Sequence, residues 1–309
     1  DQVGNSDTYS VQVRDIDTTG PAVTPGTIPE GWQMGDVTVS FTITDTESGV
    51  AEQQYIVTDS TSAPGSEAGW TDLPDNGQVT VTGNGQWYIH YKVTDHAGNV
   101  TTGHTSMPVK IDNETPTITV TGGETGASEL TLSVTASFGG SGGTVSVQKD
   151  GGEYQDVTGT SYTAKEAGTY TFKATSSAGK TTEKTVNVYG ITFDSAGGSD
   201  VSRQLAAFGG TVTEPVKPTK DGYAFDGWYK EADCTTPWNF DSDEVTGSIT
   251  LYAKWTSAAY SITYHLDGGT ASGNPETYTV ETDSFTLNNP TRTGYTFAGW
   301  TGTGLDEAT

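Results

Sequence analysis

The 309-residue chain carries 14 Lys and Arg against 39 Asp and Glu, a formal net charge of −25, and a surface so acidic repels phosphate backbones and anionic lipid. Nucleic acid is thereby excluded as a partner, and no apolar run approaches the roughly 20 residues that a membrane-spanning helix needs. Only 32% of residues are hydrophobic while glycines number 40, which favours short strands and turns, and the length implies several units that each bury a core.

The chain begins with a pattern that returns. "DQVGN" (Asp1 to Asn5) matches "DHAGN" (Asp95 to Asn99), and "RDIDTTGP" (Arg14 to Pro21) aligns without gaps to "VKIDNETP" (Val109 to Pro116). Residues 1–17 therefore read as the last strand of a preceding domain. Between the copies, "DVTVSFTITD" alternates with Val37, Val39, Phe41 and Ile43 on one face, and "QWYIHYKVTD" with Trp87, Ile89, Tyr91 and Val93. Period two predicts strands with one buried and one wet face, with Trp87 buried and His90 turned to solvent.

Residues 18–114 resemble the Ig-like modules found in tandem in large bacterial extracellular proteins. The resemblance rests on "GDVTVSFTITDTESGV" with Trp32 before it, on Tyr55, Asp59, Gly69 and Trp70, on "YKVTDHAGN" and on the closing "VKIDNETP". Residues 115–189 read as a divergent module of the same kind. There "TYTFKATSSAGK" takes the place of "YIHYKVTDHAGN", with Ser176 where the earlier copies carry Asp, and Asp150-Gly151-Gly152 is predicted to be a hairpin turn.

From Gly190 the pattern changes. "ITFDSAGG" (Ile191 to Gly198) recurs as "ITYHLDGG" (Ile262 to Gly269), and "KPTKDGYAFDGW" recurs as "NPTRTGYTFAGW". The duplicated unit resembles the Listeria-Bacteroides repeat, also called the internalin B-repeat family, through "FDSAGGS", the "GYAFDGWY" segment, "PWNF" and the closing "ITLYAKW". That resemblance implies a small β-grasp sheet for residues 190–257. It implies a second β-grasp repeat over 258–309, incomplete because no "LYAKW" ending follows. The fold class expected is all-β and multidomain: Ig-like β-sandwiches in tandem, then β-grasp repeats.

In "GYAFDGW" and "GYTFAGW", two glycines relax the backbone around alternating aromatics. A unit of about 65 residues needs aromatic burial to build a core, so Tyr223, Phe225 and Trp228 are expected to pack against Leu251, Ala253 and Trp255. The competing reading is a platform of exposed rings that stack on sugars.

No catalytic constellation emerges. The four histidines are predicted to be solvated, "GGSGG" around Ser141 lacks the elbow of a nucleophilic serine, and Cys234 has no activating base near it in sequence. The acids gather instead where modules meet. Asp15, Asp17, Asp112, Asn113 and Glu114 lie at the joints, and Asp45, Glu47 and Asp95 add loop carboxylates. Calcium takes six to eight oxygen ligands, so Asp15, Asp17, Asp112 and Glu114 are candidate calcium ligands; Asx turns that cap strand ends are the other explanation. No other cofactor is expected.

The family resemblances imply a non-catalytic stalk or adhesion region of a bacterial cell-surface or secreted protein, extracellular, arranged as a monomeric elongated array. Its partners would be a host or cell-surface glycan or protein. The alternative is a set of accessory modules, one of them carbohydrate-binding, on a secreted glycan-active enzyme.

Overall fold

The computed structural model describes residues 9–12, 16–65, 68–122 and 128–302. It is built of β-strands, with no helix among those residues. Most of residues 1–17, read above as a strand, fall outside the described residues, and residues 9–12 form no strand. Two compact units are present. The first takes the chain up to Thr121 together with Ser133–Tyr162 and Tyr170–Thr185, and the second takes Gly122–Leu132, Thr163–Thr169 and the residues from Val186 on.

The first unit opens with a sandwich of β1 (Ala22–Pro25), β2 (Val37–Thr44), β3 (Val50–Thr58), β4 (Thr71–Asp72), β5 (Gln78–Val81), β6 (Gly85–Asp95), β7 (Val100–His104) and β8 (Val109–Ile111). One sheet runs in the order β1-β2-β5 and the other β4-β3-β6-β7, with β8 also paired to β6. All of these pairings are antiparallel. Val37, Val39, Phe41, Val79 and Val81 of the first sheet meet Ile89, Val109 and Ile111 of the second, so the period-two residues form the core.

Two side chains depart from the sequence reading. Trp87 is half-buried: its indole lies over Gly85, where a Cβ would sit 3.1 Å from the ring, and its Nε1 donates to the Gly83 carbonyl at 3.0 Å. His90, expected in solvent, is only 2% exposed. The carbonyl of Ser60, in the loop after β3, lies 2.8 Å from its Nε2, and the His104 ring stands 5.4 Å away, so the outer face of β6 is covered there.

The chain continues through β9 (Thr117–Gly122), β10 (Leu130–Ser137), β11 (Gly143–Lys149), β12 (Gln155–Asp156), β13 (Ser161–Ala164), β14 (Gly168–Ser176) and β15 (Thr181–Asp194). In the first unit, β11 pairs antiparallel with β12 and β14. The predicted turn after β11 has positive φ at Asp150 (51°) and Gly151 (76°), and the Gly152 N–H closes it on the Lys149 carbonyl at 2.9 Å.

In the second unit, β16 (Gln204–Ala207), β17 (Tyr223–Tyr229) and β18 (Ile249–Ser257) build the first repeat around the end of β15. Strand β18 lies between Ile191–Asp194, which it pairs in parallel, and β17, which it pairs antiparallel. Ile191, Phe193, Ala206, Trp228, Leu251 and Ala253 form the core. The second repeat contains only β19 (Tyr260–Ser261) and β20 (Thr277–Tyr278) as strands among the described residues.

Candidate functional site

The joint acids can be built up from the turns that hold them. Asp17 ends the segment before the first sandwich, and its Oδ1 accepts the N–H of Thr19 at 2.9 Å, an Asx turn. Its Oδ2 reaches the β2–β3 loop and accepts the Ser48 N–H at 3.1 Å. In that loop Asp45 Oδ1 accepts from the N–H groups of Glu47, Ser48 and Gly49 at 3.0, 3.1 and 2.9 Å. At the β6–β7 turn, the buried Asp95 accepts the Asn99 N–H and Nδ2, both at 2.8 Å, while Asn99 Nδ2 also lies 3.3 Å from the Asp17 carbonyl.

Three separate turns thus deliver Asp17, Asp45 and Asp95 to one place, with one ligand atom from each within 4.8 Å of the others. No Lys or Arg forms a salt bridge with them among the described residues. Hydrogen bonds from Ser48 and Thr19 hold the Asp17 carboxyl below its ordinary range. The exposed Glu47 is pushed up, first by a hydrogen bond shared with Asp17 and then by the charges of Asp17 and Asp45.

The second joint repeats the scaffold without the cluster of three carboxylates. Asp112, which aligns with Asp17, accepts the Glu114 N–H at 3.0 Å and the Ser141 N–H at 3.1 Å. The turn after β14 copies the one after β6, with Ser176 Oγ accepting the Lys180 N–H at 3.1 Å as Asp95 accepts that of Asn99. Counting three residues back from the serine whose N–H is used gives Asp45 at the first joint and Phe138 at the second. Lys180 stands where Asn99 stood, and its Nζ donates to the Asn113 carbonyl. Burial works to raise the Asp112 pKa, but hydrogen bonds from Ser141 and Glu114 and the Lys180 charge outweigh it and hold the group low.

Of the four residues singled out as ligands, Asp17 is brought together with other acids. Asp112 and Glu114 are served separately, the Glu114 carboxylate accepting from Asn84 Nδ2 at 3.3 Å, and Asp15 lies outside the described residues. Asp45 and Asp95 were noted in the sequence only as loop carboxylates. Their convergence follows from the sandwich, which sets the β2–β3 loop beside the β6–β7 turn at one end. His90 and His96 use different partners, with His96 Nδ1 3.0 Å from the Gly49 carbonyl.

The aromatic frame of the first repeat is a packing unit. Gly222 and Gly227 have φ of 78° and 121°, a conformation costly for any side chain. A register shift between Phe225 and Gly227 turns Phe225 and Trp228 to the same side, with ring centroids 5.5 Å apart, and Trp228 is only 2% exposed. Trp255 stands 5.5 Å from Phe225 and donates to the Ser195 carbonyl at 2.8 Å. Tyr223 and Phe225 are half-buried, so this repeat offers no pair of open rings from the motif.

Residues 189–254 and 260–305 match the family model described as the Listeria-Bacteroides repeat domain. Internalin H of Listeria monocytogenes is 32% identical over 47% of this chain and 26% of its own length. Two proteins of Evansella cellulosilytica are also similar. One, named as a Gly-rich membrane protein, is 39% identical over 37% of this chain and 13% of itself; the other, named as a membrane protein, is 37% identical over 37% and 17%. The chain thus spans about a quarter or less of each relative, and none of the names describes an enzyme. The two repeats recognised from "GYAFDGW" and "GYTFAGW" are Listeria-Bacteroides repeats.

Proposed function

We propose that this chain is a non-catalytic spacer region of a large bacterial cell-surface or secreted protein, composed of modules at 18–114, 115–189, 190–257 and 258–309 that hold a functional head away from the cell. The observation that carries this reading is the pair of matches to the Listeria-Bacteroides repeat, in a chain that is similar to Internalin H over 47% of its length. The use of the motif aromatics for packing in the first repeat supports it, because it leaves those rings no separate binding task. The partners under this reading are a glycan or a protein of the host or the cell surface.

Antibodies raised against the chain should label intact, unpermeabilised cells of the producing organism, and brief protease treatment of those cells should remove the signal. Label confined to lysed cells would sink the reading.

The first joint supports a second element of the proposal. Three carboxylates within 4.8 Å, with no cationic side chain paired to them among the described residues, suit a divalent cation such as calcium, which Asp17, Asp45 and Asp95 would hold. A cation there ties the chain entering the sandwich to two of its loops. Melting with calcium and then with chelator tests this, and identical curves for the wild-type chain would remove the cation from the reading.

A further inference from the structure

The residues of "GYAFDGW" face two ways. Phe225 and Trp228 pack in the core of the first repeat, whereas Gly222 and Tyr223 meet a segment of the second. The side chain of Val280 lies against Gly222: a Cβ added to that glycine would overlap Val280 Cγ1 and stand 3.0 and 3.1 Å from Val280 Cβ and Cγ2. Beside it the Tyr223 hydroxyl donates to Glu281 Oε1 at 3.2 Å. Burial, and then the Glu281 charge, raise the Tyr223 pKa above its ordinary value, so the hydroxyl keeps the proton it donates.

Val280 and Glu281 are held at the tip of a turn. The Thr279 N–H donates to Thr282 Oγ1 at 2.7 Å, the Thr282 N–H returns to the Thr279 carbonyl at 3.1 Å, and the Glu281 N–H donates to Thr279 Oγ1 at 3.2 Å. The turn follows β20, which pairs with β19, and Tyr278 stacks on Tyr260 across that pair with ring centroids 5.4 Å apart. Strand β18 ends at Ser257, opposite Tyr223, and the next residue, Ala258, donates its N–H to the Gly222 carbonyl at 2.9 Å. The path out of the first repeat, through the hairpin of the second and back to Gly222 is therefore closed. The first repeat has the same turn at Ala207–Gly210, with the Gly210 N–H on the Ala207 carbonyl at 2.9 Å. Counting back without gaps from the aligned Pro218 and Pro290, it carries Phe208 and Gly209 where the second repeat has Val280 and Glu281, so the turn belongs to the repeat frame and its tip residues vary.

We propose that Gly222 and Tyr223 form the seat of an inter-repeat clasp, which the turn 279–282 of the following repeat closes by setting Val280 on the glycine and Glu281 on the tyrosine hydroxyl, so that the two repeats reorient and unfold as one body. The seat selects its partner by shape and by hydrogen bonding. Only glycine leaves room there for a branched apolar side chain, and its φ of 78° favours the same residue. The tyrosine hydroxyl, a donor, takes an acceptor, and a carboxylate makes the stronger bond. A unit of about 65 residues buries little surface by itself, so contact with its neighbour is a sizeable addition, as it is between the units of other tandem repeats. The use of the clasp in a spacer rests on the function proposed above; the clasp itself stands on these contacts alone.

The chain has a single cysteine, Cys234 in the first repeat, so one added cysteine, Thr286→Cys in the second, puts a spin label on each repeat of the 309-residue chain. The distance between the labels should follow one narrow distribution. Val280→Arg, which changes a side chain that is 51% exposed, should broaden it and speed amide exchange at Ala258 on the order of tenfold. The amides of Trp238 and Ile262, which donate to the Trp228 and Glu276 carbonyls inside the first and the second repeat, should keep their protection. Tyr223→Phe removes one hydroxyl and should act the same way more weakly, with exchange at Ala258 faster by about threefold. A broad distribution in the labelled chain before further substitution would overturn the proposal, as would a Val280→Arg variant that leaves either the distribution or the Ala258 rate unchanged. Should Val280→Arg also release Trp238 or Ile262, Tyr223→Phe decides, and an Ala258 rate in that variant equal to the wild-type rate overturns the proposal. Antibody labelling of cells can fail while the distance stays narrow, so the clasp and the spacer reading fail separately.

Discussion

The joints at Asp17 and Asp112 share a scaffold and differ in charge. Each aspartate closes an Asx turn on the residue two ahead and reaches across to a serine N–H in a neighbouring loop. At the first joint Asp45 and Asp95 join it and Glu47 stands beside it. At the second those places are held by Phe138 and Ser176, and Lys180 replaces Asn99. The backbone bonds are thus the conserved device within this chain, and the carboxylate cluster is an addition made at one joint. A joint can be fastened by hydrogen bonds alone, as the second is, so the extra charge at the first calls for another explanation, which the proposed cation supplies.

The largest effect expected from breaking this comparison is at the second joint. Asp112 is 1% exposed, so Asp112→Ala strands the N–H groups of Glu114 and Ser141 and should cost about 2 to 4 kcal/mol, read by chemical denaturation of the chain. A loss below about 1 kcal/mol would mean that water takes over both bonds. Asp17 is only half-buried, so Asp17→Ala should cost less.

Calcium sharpens the contrast next. If the first joint holds the ion, calcium should raise the transition of the wild-type chain by a few degrees, and Asp45→Asn should abolish the rise. Asp112→Asn should leave it intact. A rise that survives Asp45→Asn but not Asp112→Asn would reverse the assignment of the two joints.

Much of this was legible beforehand. The alignment of Asp17 with Asp112 and the substitution of Ser176 for Asp95 come directly from the repeats, and the Asx turns follow from aspartate two residues before an N–H that needs an acceptor. The cluster itself was not legible, because Asp17, Asp45 and Asp95 are far apart in sequence and only the sandwich sets their loops side by side. His90 was misplaced for a related reason. Period two gives the phase of a strand but not what covers its outer face, and here that is a loop carbonyl from Ser60. Packing is the role of Phe225 and Trp228 in the motif, whereas Tyr223, expected to pack with them, lies opposite Ser257 outside that core with Lys220 over its ring; the bulge that turns Trp228 onto the face of Phe225 shows itself in sequence only as Gly227.

The smallest effect expected is in the acid response of the joints, and it differs in sign between them. Asp17 and Asp112 have folded pKa values below the ordinary 3.8, so each contributes stability that is present above that value and is lost as pH falls through the lower folded one. Glu47 runs the other way. Its folded pKa lies above the ordinary 4.5, so its contribution is favourable below 4.5 and is lost as pH rises through the raised value. On acidification from neutral pH without calcium, the first joint should therefore tighten slightly as Glu47 takes a proton and loosen only at lower pH; the second should do nothing but loosen. Amide exchange at Ser48 and at Ser141 reads the two joints separately, because each N–H donates to the aspartate of its own joint. Glu47→Gln should remove the early tightening at Ser48 and leave Ser141 unchanged, and high salt should reduce that tightening only in part, because salt screens the repulsion among Glu47, Asp17 and Asp45 but leaves the hydrogen bond that Glu47 shares with Asp17. Parallel pH profiles at the two serines in the wild-type chain would show that the extra carboxylates of the first joint do not interact, and the contrast between the joints would then be one of sequence alone.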